Sequence, residues 1–291
     1  MITAGAVQLL PVIQKWVQKS LVARGVKSVN VRVRGETLHA YRAPGTGTGA
    51  PLLLVHGLGG NANGFSRILL PLAQRFREVH AFDFPGNGFS PLPAAGPLPL
   101  LGQLALLHTY CVEQIGEPAF VVGNSLGGGM AIRLAADFPS DVRALGLVAP
   151  AGARVTQARF SALKNSMSVE TPKDARALTE KLFHKAPFGA RLLARELQHV
   201  YRAPAVRALA EEMMFEDLIA PEVLGALAMP VLLLWGESEK LLPYESLDYF
   251  RAHLPRSAQV EVVKGFGHVP QMERPVELVK RLVSFADLHG L

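Results

Sequence analysis

The sequence contains a single cysteine, Cys111, in 291 residues. One thiol excludes an intramolecular disulfide and is too few for a zinc site built on cysteines. The lack of disulfides is typical of proteins from reducing compartments, so we expect a cytoplasmic address. Stability must then come from a hydrophobic core, and the 49% of hydrophobic residues can provide one.

Long hydrophobic runs are also missing. No segment has the roughly 20 mostly apolar residues that a membrane-spanning helix requires. The N-terminal stretch lacks a basic region, and its apolar run is soon interrupted by Gln14, Lys15, Gln18 and Lys19, unlike a secretion signal. Apolar residues recur there at spacings of three or four, namely Leu9, Leu10, Ile13, Trp16, Val17 and Leu21. We therefore predict an amphipathic helix within residues 1–26.

This apolar stripe suits two environments. Packing on the folded domain is the favoured interpretation, and a helix lying in a membrane interface is the alternative.

Positive charge is concentrated in residues 1–42, with seven Lys or Arg against one Glu, and in residues 154–207, with eleven against four acids. Peripheral contact with an anionic membrane would suit these segments. Nucleic acid is not expected as a partner, because the basic residues come without a binding motif or interleaved aromatic residues.

Short β-branched or leucine-rich runs alternate with helical patterns along the chain. This alternation is typical of α/β proteins with a mostly parallel sheet and helices on both faces. The first two strands, separated by Gly35 and Glu36, predict an antiparallel hairpin, and crossover helices are expected at 126–137 and 275–286. The eight predicted strands are 29–34, 38–42, 52–56, 79–83, 120–123, 144–148, 231–235 and 260–263.

One connection is much longer than the others. About 80 residues with helical patterning and repeated prolines separate the strand at 144–148 from the strand at 231–235, which is more than one crossover needs. We interpret this stretch as a helical cap inserted into the core. The predicted organisation is an N-terminal amphipathic helix at 1–26, a core formed by 27–151 and 228–291, and a cap at 152–227.

A glycine-rich turn around a serine follows one of the apolar runs. Residues 123–127 read G-N-S-L-G, between an apolar run at 120–122 and a helical pattern. Where a strand turns abruptly into a helix, side chains in place of the two glycines would collide with neighbouring backbone. Ser125 is thereby exposed at a helix start, where backbone amides favour developing negative charge. We interpret Ser125 as a nucleophile, in preference to part of a merely structural turn.

A second glycine-rich element, H-G-L-G-G at residues 56–60, follows the apolar strand at 52–56. Together the two elements resemble the α/β-hydrolase family, and the resemblance covers nearly all of the chain from Leu52 onward. It implies an eight-stranded mostly parallel sheet and an oxyanion hole made by the backbone amides of Leu58 and Leu126. The run D-F-P-G-N-G-F-S at 83–90 resembles a turn of the same family. There we expect Asp83 to hold the turn through hydrogen bonds to backbone.

The resemblance also implies the order serine, acid, histidine for a catalytic triad. His268 follows the last predicted strand and is therefore the expected base. The family's acid usually stands at the end of the motif W-G-x-x-D, whereas residues 235–239 read W-G-E-S-E. Alignment places Glu239 at the acid's position, and a glutamate can accept the hydrogen bond from a histidine ring. Glu237 is the alternative.

These residues predict a serine hydrolase that cleaves small-molecule or lipid esters, a carboxylesterase or lipase, through an acyl-enzyme on Ser125. The chemistry needs no metal or organic cofactor. Apolar residues of the cap could line an acyl pocket, and Met213, Met214 and Phe215 are the candidates. A carbon–carbon bond hydrolase of ring-cleavage products is the alternative enzyme, although Val269 stands where those relatives tend to have tryptophan. A hydrolase-like binding protein is the non-enzymatic alternative.

Overall fold

The computed structural model describes residues 9–291, and residues 1–8 lie outside the described part. All eight predicted strands are present within shifts of a few residues at their ends. They are β1 (Lys27–Val33), β2 (Glu36–Pro44), β3 (Leu52–Val55), β4 (Glu78–Phe82), β5 (Ala119–Asn124), β6 (Val142–Val148), β7 (Val231–Gly236) and β8 (Gln259–Val263).

The strands form one sheet in the order β1-β2-β4-β3-β5-β6-β7-β8. The β1–β2 and β2–β4 pairs are antiparallel, and the other pairs are parallel. The predicted mostly parallel eight-stranded sheet is therefore confirmed. Because the strands β3 to β8 run in the same direction, the loops after β3, β5, β7 and β8 lie along one edge of the sheet.

The first hairpin differs from the prediction by one residue. The connection is Arg34-Gly35, not Gly35-Glu36, because Val33 pairs directly with Glu36. Both loop residues have positive φ, 50° at Arg34 and 84° at Gly35. Two successive left-handed residues match the right-handed twist of a two-residue hairpin. Arg34 is not recognisable from the sequence as a turn residue, because arginine rarely adopts positive φ.

Helices cover both faces of the sheet. The predicted crossover helices are confirmed as α4 and α12. The helices are α1 (Leu10–Ala23), α2 (Ser66–Ala73), α3 (Leu100–Tyr110), α4 (Leu126–Asp137), α5 (Gln157–Met167), α6 (Pro172–Leu182), α7 (Ala190–Arg202), α8 (Pro204–Glu212), α9 (Pro221–Gly225), α10 (Glu245–His253), α11 (Pro270–Glu273) and α12 (Pro275–Leu288). Short helical turns occupy Ala62–Phe65, Cys111–Ile115, Pro139–Asp141 and Phe215–Asp217.

The sheet separates two apolar cores, since successive strand residues point to opposite faces. In β7, Leu232 and Leu234 pack into a core completed by α1, α2 and α12. Leu233 and Trp235 pack into the other core, which α3, α4 and α10 complete. The helix α1 joins the first core only through its C-terminal half, where Leu21 is buried.

The apolar stripe of α1 is divided between the protein and solvent. Val17 packs against the core, whereas Ile13 and Trp16 are exposed. Packing on the domain is therefore the correct interpretation for only part of the stripe. None of the helices within residues 9–291 combines the length and apolar composition needed to cross a bilayer.

The long connection between β6 and β7 contains five helices, α5 to α9, and we call residues 149–230 the helical segment. It has a small apolar core of its own, which includes Leu178, Phe183 and Tyr201. Leu58, Leu241 and Val269 of the sheet-edge loops pack against or within this core. The helical segment therefore lies over the loops that carry the predicted site. The boundaries at 152 and 227 and its role as a cap stay predictions.

Candidate active site

Ser125 lies at the sharp turn between β5 and α4. Its backbone has φ 57° and ψ −125°, a conformation that L-residues rarely adopt. A Cβ at Gly123 would overlap the Gly127 carbonyl, and a Cβ at Gly127 would overlap the Val55 carbonyl. The two flanking glycines therefore permit the close approach of β5, α4 and β3. This packing holds the strained serine at the end of the strand.

The two amides predicted to form an oxyanion hole come from separate loops. Leu126 is the first residue of α4, so its N–H has no acceptor within the helix. Within residues 9–291, neither the Leu58 nor the Leu126 amide donates to a protein acceptor. Both residues line the cavity that Ser125 also lines. The loop of Leu58 lies close to the serine, since a Cβ at Gly57 would stand 2.9 Å from Ser125 Cβ.

His56 fixes the conformation of the Leu58 loop. Its Nδ1 lies 2.9 Å from the Gly57 carbonyl, and its Nε2 accepts from the Phe84 amide at 3.2 Å. Burial lowers the pKa of His56, although the bond to Gly57 and the charge of Asp83 oppose this effect. A neutral ring with its proton on Nδ1 satisfies both bonds. His56 therefore supports the loop and is not placed to act as a catalytic base.

Asp83 is buried at the end of β4 and holds two loops. Its Oδ1 accepts from the Ala62 amide at 2.6 Å, and its Oδ2 accepts from the Phe89 amide at 2.9 Å. Oδ2 also lies 2.8 Å from His39 Nδ1. These bonds agree with the expected structural role of Asp83 in the turn at 83–90.

His268 lies in the loop between β8 and α11, and Glu239 lies in the loop after β7. The distance from His268 Nδ1 to Glu239 Oε2 is 2.8 Å, and both side chains are buried. The other oxygen, Oε1, accepts from the amides of Leu241 and Leu242 at 2.7 and 3.0 Å. Glu237, the alternative acid, is exposed. The structure therefore places Glu239, not Glu237, against the histidine.

The electrostatics of Glu239 favour a carboxylate. Burial by itself raises the pKa of Glu239, but the charge of His268 and the hydrogen bonds from His268, Leu242 and Leu241 outweigh it and leave the pKa lowered. An ionised acceptor keeps the proton of the histidine on Nδ1. The opposite nitrogen, Nε2, is then free to take a proton from a nucleophile.

Asn124 connects the histidine loop to the nucleophile turn. Its side-chain amide donates to the His268 carbonyl and to the Val148 carbonyl, each at 2.9 Å. Its oxygen accepts from Gln271 Nε2 at 2.9 Å. The residue directly before Ser125 thus holds the backbone of the predicted base. In the sequence, position 124 is only the variable residue of the motif and carries no signal of this role.

Glu273 ties the same loop to the helical segment. Its Oε1 accepts from the Gly267 amide at 2.7 Å, and its Oε2 accepts from the His184 amide at 2.9 Å. The His268 amide donates to the Leu182 carbonyl at 2.9 Å. A carboxylate between two backbone donors from distant parts of the chain positions the histidine loop without touching the reacting atoms.

We expect Glu273→Gln to lower kcat by about 10- to 100-fold, because a displacement of the histidine by about 1 Å has effects of this size. An amide places an NH₂ group against one of the two N–H donors and breaks that bond. Glu277→Gln is the matched control, since Glu277 pairs with Arg274 and Arg281 on the surface. Steady-state kinetics at several pH values would check this, and equal kcat values for the two variants would contradict it.

An apolar cavity of about 280 Å³ opens above Ser125. Two of the three residues predicted for its wall, Met213 and Met214, do line it. Phe215 does not line it and packs instead against Phe160, with 5.8 Å between ring centroids. Three leucines of α3 complete the wall and were missed, namely Leu100, Leu101 and Leu104. No local pattern marks them, because their contact with the helical segment arises only in the folded chain.

The sheet order, the serine at a strand-to-helix turn and the buried acid–histidine pair at the same edge define an α/β-hydrolase fold. Comparison with known proteins agrees, since the model of the alpha/beta hydrolase fold family matches residues 50–275. The chain belongs to the α/β hydrolase family.

Individual relatives include lipases and other hydrolases. The chain is 26% identical over 263 residues to Lipase 1 of Psychrobacter immobilis, covering 85% of this chain and 80% of that protein. A bacterial membrane phospholipase A is 26% identical in its crystal structure, with a TM-score of 0.81 and coverage of 99% of this chain and 95% of that chain. The 2-hydroxy-6-oxo-6-phenylhexa-2,4-dienoate hydrolase of Rhodococcus sp. strain RHA1 is 25% identical, with a TM-score of 0.73 and coverage of 89% and 99%.

Proposed function

We propose that this protein is a serine hydrolase of carboxylic esters, a carboxylesterase or lipase, in which Ser125, His268 and Glu239 form the triad. The observation that carries the proposal is that Ser125 lines an apolar cavity that Leu58 and Leu126 also line. The similarity to a lipase and to a membrane phospholipase A supports an ester of lipid type as substrate.

The proposed reaction has two halves. His268 Nε2 takes the proton of Ser125 as the serine oxygen attacks the ester carbonyl carbon. The amides of Leu58 and Leu126 donate to the oxyanion, and such donors contribute about 3 kcal/mol each in acyl transfer. The C–O bond then breaks, and His268 gives the proton to the departing alcohol. Water repeats the sequence on the acyl-enzyme, releasing the acid and restoring Ser125.

The apolar cavity leads to a prediction about acyl length. Each methylene buried on binding contributes about 0.8 kcal/mol, so kcat/KM for p-nitrophenyl esters should rise about 4-fold per added methylene until the cavity is filled. Leu163 lines the cavity, so Leu163→Trp should narrow it. The acyl chain with the highest kcat/KM should then be shorter, whereas turnover of the acetate ester should stay nearly unchanged. Leu288→Trp, at an exposed position of α12, is the matched control. A flat profile for the wild-type protein would contradict an acyl pocket.

A carbon–carbon bond hydrolase is the second candidate, because a cationic side chain reaches the same cavity. Arg133 of α4 lines it and donates to the Asp217 carbonyl at 3.2 Å. A guanidinium there could hold the carboxylate of a dienoate substrate, and the Rhodococcus hydrolase is similar in structure. Turnover of a ring-cleavage dienoate without turnover of any ester would favour this candidate over the first.

A binding protein with the same fold would have an inert serine. A fluorophosphonate probe that labels Ser125 of the folded protein would exclude that role. The absence of labelling, together with native circular dichroism, would favour it.

A further inference from the structure

A positively charged groove lies in the helical segment, between α6 and α7. It is lined by Pro172, Arg176, Arg191, Ala194, Arg195, Gln198 and His199. The lining residues include three arginines and no acidic side chain. Arg191, Arg195 and His199 are spaced by four residues and therefore share one face of α7, opposite Arg176 of α6. All three arginines are exposed.

Three acidic residues near the groove in sequence are engaged elsewhere, whereas Glu180, one turn after Arg176 on α6, is exposed and does not line the groove. Glu170 pairs with Arg202 at 3.7 Å. Asp174 caps α6 through the Thr171 amide and hydroxyl, at 2.7 and 2.8 Å. Glu196 is buried and accepts hydrogen bonds from backbone amides. The arginines of the groove therefore present positive charge toward solvent and form a site for an anion.

Large apolar side chains are exposed near the start of α7 and on α1. Phe188 precedes α7 and is fully exposed, and Leu192 lies next to Arg191 and is 41% exposed. On α1, Val12, Ile13 and Trp16 are 59%, 49% and 69% exposed. Large apolar residues at this exposure, beside arginines, are typical of a surface that enters the headgroup region of a membrane.

Glu196 brings the two apolar groups together. The amides of Leu9 and Leu10, at the start of α1, donate to its two oxygens at 3.1 and 3.0 Å. Glu196 lies one helical turn after Leu192 on the same side of α7. Trp16 lies about 9 Å along α1 from Leu10, given a rise of 1.5 Å per residue. The region around this contact between α1 and α7 therefore contains exposed apolar residues of both helices.

We propose that this region docks on an anionic phospholipid bilayer. We call it the α1–α7 surface, and its members are Val12, Ile13, Trp16, Arg176, Phe188, Arg191, Leu192 and Arg195. The arginines pair with lipid phosphates, since guanidinium groups bind phosphate through paired hydrogen bonds. The apolar side chains enter the boundary between headgroups and acyl chains, where tryptophan is favoured. Docking uses no residue of the triad and goes beyond the proposed hydrolysis.

Tryptophan fluorescence provides a direct test. The sequence has two tryptophans, and Trp235 is buried at 1% exposure, so a change in emission on adding vesicles reports Trp16. Vesicles of equal parts phosphatidylglycerol and phosphatidylcholine should shift the emission to the blue, whereas pure phosphatidylcholine should shift it little. The Ser125→Ala protein is used, so that the vesicles stay intact whether or not the wild-type protein hydrolyses them.

Charge-removing variants locate the binding. Each arginine near an anionic surface contributes about 1 kcal/mol, so Arg191→Gln with Arg195→Gln should weaken flotation with the anionic vesicles about 25-fold. Arg251→Gln on α10, whose arginine lies 3.9 Å from Asp248, is the matched control and should bind like the parent. Trp16→Ser removes the reporting tryptophan and should lose the fluorescence shift, which checks that the change in emission comes from Trp16.

Three outcomes would overturn the proposal. They are equal binding to neutral and anionic vesicles, equal binding by the double variant and Arg251→Gln, and no binding to vesicles at all. In the third case the surface would suit an acidic protein partner instead. The arginine variants with Ser125 intact should hydrolyse a soluble ester at the wild-type rate. A failure of docking and a failure of the proposed hydrolysis therefore give different results.

Discussion

Replacing Ser125 by alanine is expected to lower kcat for ester hydrolysis by about 10⁶-fold, the size seen when a triad serine is removed from another hydrolase. Alanine has no oxygen to attack the carbonyl carbon, so no acyl-enzyme forms. Any remaining rate comes from binding and from the oxyanion donors, which alanine leaves in place. Turnover of a p-nitrophenyl ester and fluorophosphonate labelling followed by intact mass would measure both losses.

The alanine variant should fold normally. The unusual φ and ψ of Ser125 are costly because of its Cβ, and alanine keeps that atom, so the free energy of unfolding should change by no more than about 0.5 kcal/mol. Ser246→Ala is the matched control, because Ser246 is a serine that lines the same cavity. We expect it to be labelled and active. Full activity in a folded Ser125→Ala sample would refute the proposed mechanism.

Replacing Glu239 by glutamine should lower kcat by about 10⁴-fold, as the equivalent acid-to-amide change does in a serine protease. Glutamine is similar in size and can still accept from the Leu241 and Leu242 amides. Its NH₂ group, however, favours the wrong tautomer of His268 and cannot stabilise the imidazolium. The KM should change far less than kcat, because the glutamate does not line the cavity.

Glu237→Gln is the matched control for this prediction. It removes the same charge two residues away, from an exposed position, and should leave kcat within about 2-fold of the wild-type value. A large loss of kcat in Glu237→Gln, with little loss in Glu239→Gln, would assign the acid to the other glutamate.

Acid unfolding of the wild-type protein and of Glu239→Gln tests the charge of Glu239 separately. Because the pKa of Glu239 is lower in the folded protein than its ordinary value of 4.5, the ionised carboxylate stabilises the fold. That stabilisation is present above pH 4.5 and is lost as the pH falls from 4.5 through the lowered value. In this range the free energy of unfolding should fall more steeply for the wild-type protein than for Glu239→Gln. Parallel curves would contradict the lowered pKa.

The two proposals concern two surfaces of the helical segment. One packs on the Leu58 loop, where the Tyr201 hydroxyl donates to the Leu58 carbonyl at 3.3 Å. The other carries the arginine groove. Both include residues of α7, so a membrane docked through α7 would lie close to the helix that contacts the Leu58 loop. A lipid-type ester is therefore the substrate class that fits both proposals.

The sequence by itself determined the strand and helix alternation, the serine turn and the position of His268 after the last strand. These features depend on backbone geometry within a few residues, such as the need for glycine at 123 and 127, and local patterns therefore reveal them. The resemblance to the α/β-hydrolase family was also carried by such short motifs.

Only the tertiary structure decided which contacts join distant parts of the chain. Glu239 rather than Glu237 lies against His268, Glu273 links the histidine loop to His184, and leucines of α3 complete the cavity. The arginine groove likewise needs α6 and α7 side by side. Each of these contacts depends on how separate segments of the chain pack. The sequence around each residue carries no signal of which distant residue it will contact.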